Sequence, residues 1–385
     1  MVKRILFLLF LSVFTDVLSA RELQSSYISV GGHYGSVLAS NEFFEGDYAI
    51  SGYTTQTVKY TMRLSDDMWQ KEAYGDPYYG VGIALSQFGR SEDLGDPFAI
   101  YLIQGATMYN LAKRLDLNYE LNLGVITGWK PYRQESNPEN VAMGLKTSVH
   151  LALDLYLKWY ISNHFDLHIG GSLFHSSNGS SQHPNKGINA ANIYAELAYN
   201  FNRDLDKSSA SAGVQAPSFE AHFEHDVEVI VSSRNSKDLD DENTYNNRMF
   251  PIFGVGYKFM RAPNYKYRYG VGLEVLYDES SCALMYEQYS AQSKSWESVV
   301  ELAPLKDRVS MGVSINGELV KPYYSAFANI GYALYQPNEF GAMMYQTVGV
   351  KARFIDNIFG SFGVRAENFN KAIFLYWSLG YTLGS

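Results

Sequence analysis

The chain is poor in cysteine and proline, has no long apolar run beyond its first twenty residues, and carries fewer cations than anions. Of 385 residues only Cys282 is a cysteine, so no internal disulfide can form and a disulfide-stapled scaffold is excluded. That lone thiol reads as buried or inert. The 11 prolines are scattered, and no low-complexity or proline-rich tract is present. Lys and Arg number 31 against 40 Asp and Glu, a formal net charge of −9, which removes the electrostatic case for a nucleic-acid partner. Away from the N-terminus nothing approaches eighteen consecutive apolar residues, so no spanning helix is expected.

What is present points outward from the cytoplasm. Lys3 and Arg4 precede an apolar stretch, Ile5 to Phe14, and the small-residue site Val17-Leu18-Ser19-Ala20. This is the pattern of a cleaved signal peptide, residues 1–20. The composition includes 31 Tyr, 22 Phe and 32 Gly. Such a content suits an all-β transmembrane antiparallel barrel with aromatic girdles, although composition alone also suits a secreted sandwich.

Strand periodicity favours the barrel. Phe165, Leu167, Ile169 and Leu173 alternate with Asp166, His168 and Ser172. Val149, Leu151, Leu153, Leu155 and Leu157 oppose Ser148, His150 and Asp154, and Ile193, Ala195 and Leu197 oppose Asn192 and Glu196. One apolar and one polar face over about ten residues is the barrel signature. About sixteen such strands can be placed, with fourteen or twelve as the neighbouring counts. With the N-terminus in the periplasm, short turns such as Asn110–Lys113 and Ser162–His164 fall on one side. Longer polar loops, Gly128–Val141, Ser233–Asn247 and Glu279–Asp307, fall on the other. Ser65–Pro77 would be a long periplasmic loop. Residues 202–217 form a linker or a second such loop, dividing residues 21–201 from the additional strands of 218–385. Because that linker is short for tethering two cylinders, one wide barrel is expected.

The chemistry concentrates at the end of one strand. Phe174 to His183 reads F-H-S-S-N-G-S-S-Q-H. Residues i and i+2 of a strand share a face, so His175 and Ser177 lie together, as a general base and a serine nucleophile must. If Leu173 and Ile169 face lipid, so do His175 and Ser177. By the same parity Asn189 faces outward on the next strand while Glu196 points inward. Polar side chains on a lipid-facing wall are costly without a purpose.

H-S-S-N-G followed by P-N-K-G-I-N, Pro184 to Asn189, resembles the outer-membrane lipid A 3-O-deacylases, an acyloxyacyl hydrolase-like family, across roughly residues 27–201. The resemblance implies an eight-stranded barrel with a serine-hydrolase site on its lipid-facing side near the outer leaflet. It implies Ser177 as nucleophile, His175 as general base and Asn185 as an oxyanion-hole donor, with Asn178 and Gly179 shaping the loop. Residues 218–385 have no counterpart in the short members and would widen the barrel, gate access or promote a homodimer. The family carries a glutamate where this chain has Asn189. An amide oxygen can accept the histidine N–H and set its tautomer, but it brings no charge to the imidazolium.

These residues have blander readings. S-S-N-G-S-S is ordinary turn chemistry. His150 and His168 lie on inward polar faces and read as lumen lining. His164 and His168 make no metal pair without a third ligand, and His222 and His225 fall on opposite strand faces. The expected function is therefore an outer-membrane serine esterase removing an ester-linked acyl chain from lipid A or lipopolysaccharide, with no cofactor or metal. The rival is a non-catalytic barrel, a channel or scaffold retaining a degenerate deacylase loop.

Overall fold

The computed structural model describes residues 23–384, apart from 47–48, 67, 202, 204–213, 238–244, 293, 338–341, 356 and 370. The expected signal peptide and most of the expected linker lie outside the described residues. No described helix is long and apolar enough to cross a membrane.

Strands β1 (Leu23–Val37), β2 (Tyr53–Leu64), β3 (Tyr78–Gln87), β4 (Phe98–Ala112), β5 (Leu115–Thr127), β6 (Thr147–Tyr160), β7 (Phe165–Ser177) and β8 (Ile188–Asn200) pair antiparallel in chain order. β8 then pairs back onto β1, from Tyr27↔Asn200 to Val37↔Ala190, closing an eight-stranded barrel. The second half holds β9 (His222–Lys237), β10 (Tyr245–Ala262), β11 (Tyr267–Asp278), β12 (Leu284–Ser290), β13 (Ser295–Glu301), β14 (Val309–Val320), β15 (Ser325–Tyr335), β16 (Met344–Ile355), β17 (Ile358–Glu367) and β18 (Lys371–Leu383). Eight of these close a second barrel through β18 and β9, while β12 and β13 form a separate hairpin.

The all-β membrane-barrel expectation holds, and among the described residues the barrel strands number sixteen. The single wide cylinder does not hold: the strands close as two sets of eight. The interiors give the physical reason. In the first barrel Lys59 Nζ lies 2.7 Å from Glu120, 3.1 Å from Glu196 and 3.8 Å from Asp154. His168 Nδ1 lies 3.0 Å from Glu196, and the Tyr78 hydroxyl donates to Glu120 at 3.0 Å. In the second barrel Lys258 meets Glu228 at 2.7 Å, Lys351 meets Asp226 and Glu318 at 2.5 and 2.9 Å, and Arg365 pairs with Glu274. Each barrel pairs its own inward charges across its own axis. Only a narrow bore brings strands on opposite walls that close, and an eight-stranded barrel is just wide enough for side chains to fill. Those same charges facing a sixteen-stranded lumen would stand in water.

Outer walls are apolar, as alternation predicts. Val30, Ile100, Leu155, Ile169, Leu173, Ile193, Val255, Val271, Leu273 and Ile315 are each at least half exposed and face away from the interiors. Three smaller expectations change. The Glu279–Asp307 loop contains the β12–β13 hairpin, and the Ser233–Asn247 loop shortens because β9 and β10 run on to Lys237 and from Tyr245. Ser65–Pro77 carries a single-turn α-helix, Trp69–Ala73. Cys282 is exposed in the turn before β12, not buried.

At the end of the first barrel where β7 finishes, the loops after β1, β3, β5 and β7 come together. Phe43, Phe44, Leu94, Trp129, Met143 and Ile188 pack there into one buried cluster. Asn140, fully buried, ties two of these loops. Its Nδ2 donates to the Asp93 and Lys130 carbonyls at 3.1 and 2.8 Å, and its Oδ1 accepts from the Ala142 and Met143 N–H groups at 3.2 Å. This cap supports the strand ends that carry the motif.

Candidate active site

β6, β7 and β8 place the motif residues by register alone. Leu151 sits opposite His175 and Val149 opposite Ser177 on β6, and His175 sits opposite Asn189 on β8. Phe174, Ser176 and Ile188 point inward and are buried, so His175, Ser177 and Asn189 share the outward face with Leu151, Leu153 and Leu173. All three polar residues are half-buried. Beneath them, the inward Ser176 hydroxyl lies 2.6 Å from Ser148 Oγ, which accepts from the Trp129 indole N–H at 2.9 Å.

The side chains converge. His175 Nε2 lies 2.9 Å from Ser177 Oγ, and His175 Nδ1 lies 2.7 Å from Asn189 Oδ1. An amide oxygen can only accept, so the Nδ1–H donates to it and the neutral ring carries its lone pair at Nε2. Ser177 therefore donates its O–H to Nε2. That tautomer is the one in which the histidine can take the serine's proton.

The loop from Asn178 to Gly187 places the remaining motif residues. Asn178 N–H donates to Asn185 Oδ1 at 2.8 Å, so the main-chain donor following Ser177 is engaged. Asn185 keeps Nδ2, its donor end, for another partner. Gly179 and Ser180 both take left-handed backbone, φ +57° and +58°, which turns the chain sharply after β7. Residues Gly179–His183 group with the unit that contains 218–385, where Ser180 Oγ donates to the Ala372 carbonyl at 2.6 Å.

Gly187 and Ser40 belong to the site although they lie outside the motif's chemistry. Gly187 has φ +73°, and a Cβ there would stand 3.3 Å from His175 Cε1, 3.3 Å from Ser177 Cβ and 3.0 Å from the Ser176 carbonyl oxygen. Its N–H donates to the Ala142 carbonyl at 3.0 Å, joining this turn to the loop that Asn140 ties. Ser40 Oγ accepts from Asn189 Nδ2 at 3.0 Å. Glycine in P-N-K-G was visible as a turn residue; nothing around Ser40 marks it. Lys186, on the same turn, is paired with Glu42.

Five of the other histidines stay out of the site. His150 and His168 are buried inside the barrel, against Tyr101 and Glu196 respectively. His164 stacks on Tyr199. On β9, His222 contacts Glu224 while His225 faces Tyr257, which separates the two as expected. Among the described residues no group of three or more His, Cys, Asp or Glu side chains is placed to hold a metal ion.

Residues 223–385 match the family model "Acyloxyacyl hydrolase, C-terminal domain". The suspected acyloxyacyl hydrolase relationship is thus supported over a segment, and that segment is the second barrel rather than the motif-bearing stretch 27–201. On the last rungs of β17 and β18, Val364 and Ala366 take the outward positions opposite Leu375 and Ala372, so the matched barrel has no hydroxyl or imidazole there. No curated protein matches the chain. Similar solved structures are the P. putida toluene transporter TodX (8% identity, 96% of this chain and 92% of that chain, TM-score 0.19) and the Ralstonia pickettii toluene transporter TbuX (9%, 94% and 90%, 0.19). An outer membrane channel from Pseudomonas putida F1 is similar at 12% identity, over 94% and 96% of the two chains, with a TM-score of 0.18.

Proposed function

We propose that the first barrel is an outer-membrane serine esterase that removes an ester-linked acyl chain from lipid A. The observation that carries the reading is the hydrogen-bonded row Ser177, His175, Asn189 on an outward, apolar wall. Buried rows of this kind inside a barrel are structural; an outward row meets lipid. Lipid A offers its acyl esters at the boundary between headgroup and chain, the level at which a strand's end lies.

The reaction follows from the tautomer. Ser177 Oγ attacks the acyl carbonyl while His175 Nε2 takes its proton, giving a tetrahedral oxyanion and an imidazolium. Asn189 Oδ1 holds the Nδ1–H through this step, and Asn185 Nδ2 is the side-chain donor available to the oxyanion. Collapse expels the sugar hydroxyl, which leaves with the proton from His175. Water then attacks the acyl-enzyme by the same route and releases the fatty acid. No step calls for a metal or cofactor.

The rival channel reading loses its basis in size. Both barrels have eight strands, and the middle of each interior is crossed by ion pairs. The deciding experiment is mass spectrometry of lipid A from outer membranes carrying the protein, beside a Ser177→Ala control. Loss of one hydroxyacyl mass only with Ser177 present is expected. Identical spectra, with both proteins folded in the membrane, would overturn the esterase.

A further inference from the structure

We propose that Asn235, on β9, is a positioning residue for the loop that follows Ser177: it grips Ser180 and His183 and so fixes the turn that leads to Asn185. The effect on rate rests on the esterase reading; the grip itself does not.

The turn needs holding. Gly179 and Ser180 take left-handed backbone in succession, φ +57° and +58°. Glycine adopts that conformation freely, but a residue with a Cβ is strained by it. Left to itself, Ser180 would relax toward right-handed or extended backbone, and the chain between it and Asn185 would move. The base of the loop is closed where Asn178 N–H donates to Asn185 Oδ1 at 2.8 Å. A bond at the base leaves the tip free to choose its own backbone.

The grip comes from residues 218–385, with which Gly179–His183 form one packed unit. Asn235 N–H donates to the Ser180 carbonyl at 3.1 Å, and Asn235 Oδ1 accepts from the His183 N–H at 3.3 Å. Asn235 Nδ2 donates to the Arg248 carbonyl on β10 at 2.9 Å. A main-chain N–H can only donate and a main-chain carbonyl can only accept, so these two side-chain partners leave the Asn235 amide one orientation. Asn235 is 2% exposed, so water has little access to compete. Two contacts add to the hold. Ser180 Oγ donates to the Ala372 carbonyl at 2.6 Å, and a Cβ on Gly179 would overlap the Leu375 side chain. Ser180 is thus fastened at its carbonyl and at its hydroxyl while its φ is left-handed.

Asn185 lies two residues beyond His183, and on the esterase reading its Nδ2 must meet the oxyanion. His175 and Asn189 are set opposite each other by the pairing of β7 and β8, whatever the loop tip does. Loosening the tip should therefore disturb the step in which the oxyanion forms and leave the proton-transfer row as it is. Residues 218–385 gain a part in the reaction by this route.

The test uses the full chain in detergent micelles and compares the wild type with Asn235→Ala and Ser180→Ala, which remove the bonds to His183 and to Ala372 respectively. Amide hydrogen exchange, read by mass spectrometry of peptides, should be at least about tenfold faster across residues 179–186 in both variants, with β7 and β8 as slow as in the wild type. Lipid A deacylation should fall about tenfold in kcat, with KM within about twofold and the acid limb of the pH–rate profile unmoved. Unchanged exchange of the loop in Asn235→Ala would overturn the proposal, as would faster exchange with an undiminished kcat. If Asn235→Ala loosens β9 as well, Ser180→Ala decides, because Ser180 has no part in the β9–β10 pairing, and unchanged exchange there overturns the grip. Faster exchange confined to the loop, beside a wild type without activity, would support the grip and overturn the esterase instead.

Discussion

Replacing Asn189 with aspartate isolates the charge that this site lacks. The substitution is isosteric, so a carboxylate oxygen takes the place of Oδ1, 2.7 Å from His175 Nδ1, and the Ser40 hydroxyl can turn to donate to the other oxygen. The tautomer is already correct, so the gain is confined to stabilising the imidazolium that forms as Ser177 attacks. An opposite charge within about 4–6 Å is worth about 1–3 pK units, or about 1.4 kcal/mol for each unit. His175 and Asn189 are half-buried, which places the benefit in the lower part of that range because solvent screens it. The expected rise in kcat/KM is therefore about 10- to 100-fold. A carboxylate also holds the imidazole proton more firmly, so the acid limb of the pH–rate profile should move to higher pH. The assay is release of hydroxy fatty acid from lipid A in mixed micelles, across pH, with Ser177→Ala as the blank. An unchanged rate together with an unchanged profile would refute the claim that His175 is the base and Asn189 its partner.

Two further substitutions probe the support of the site. Gly187→Ala forces a side chain into left-handed backbone, at about 1–2 kcal/mol, and pushes a methyl against His175 and Ser177. Its kcat should drop by about 100-fold while the barrel still shows heat-modifiable migration on a gel, and undiminished activity would show that this face of the pair is open. Lys59→Met leaves Glu120 and Glu196 buried without their cation and should destabilise the first barrel by about 3–5 kcal/mol in urea unfolding. A midpoint equal to the wild type would mean that the carboxylates are carried by other donors.

Strand parity was legible because period two is local: Leu173, His175 and Ser177 share a face whatever the rest of the chain does. Convergence of His175 and Asn189 was legible too, since one turn joins their strands and parity carries across it. Closure was not. β8 pairs with β1 across more than a hundred and fifty residues, and both closures put Lys59, Glu196 and Lys351 inside, so alternation cannot choose between one cylinder and two. The β12–β13 hairpin lies within a loop whose sequence shows only its length. Ser40 and Asn140 reach the site region from loops of other strand pairs, and no local pattern announces that. The family match on 223–385 likewise falls on the second barrel, whose last outward rungs on β17 and β18 are Val364, Ala366, Leu375 and Ala372.

Placing reactive groups on the outer wall changes how substrate is counted. A cleft open to water samples molar concentration; a wall bathed in acyl chains samples mole fraction within one leaflet. On the esterase reading, encounter becomes a lateral search in two dimensions, and the fatty acid would leave along the same plane without crossing into solvent. An ester of identical chemistry but high water solubility would pass this wall almost unseen, so selectivity begins with which molecules enter the leaflet at all.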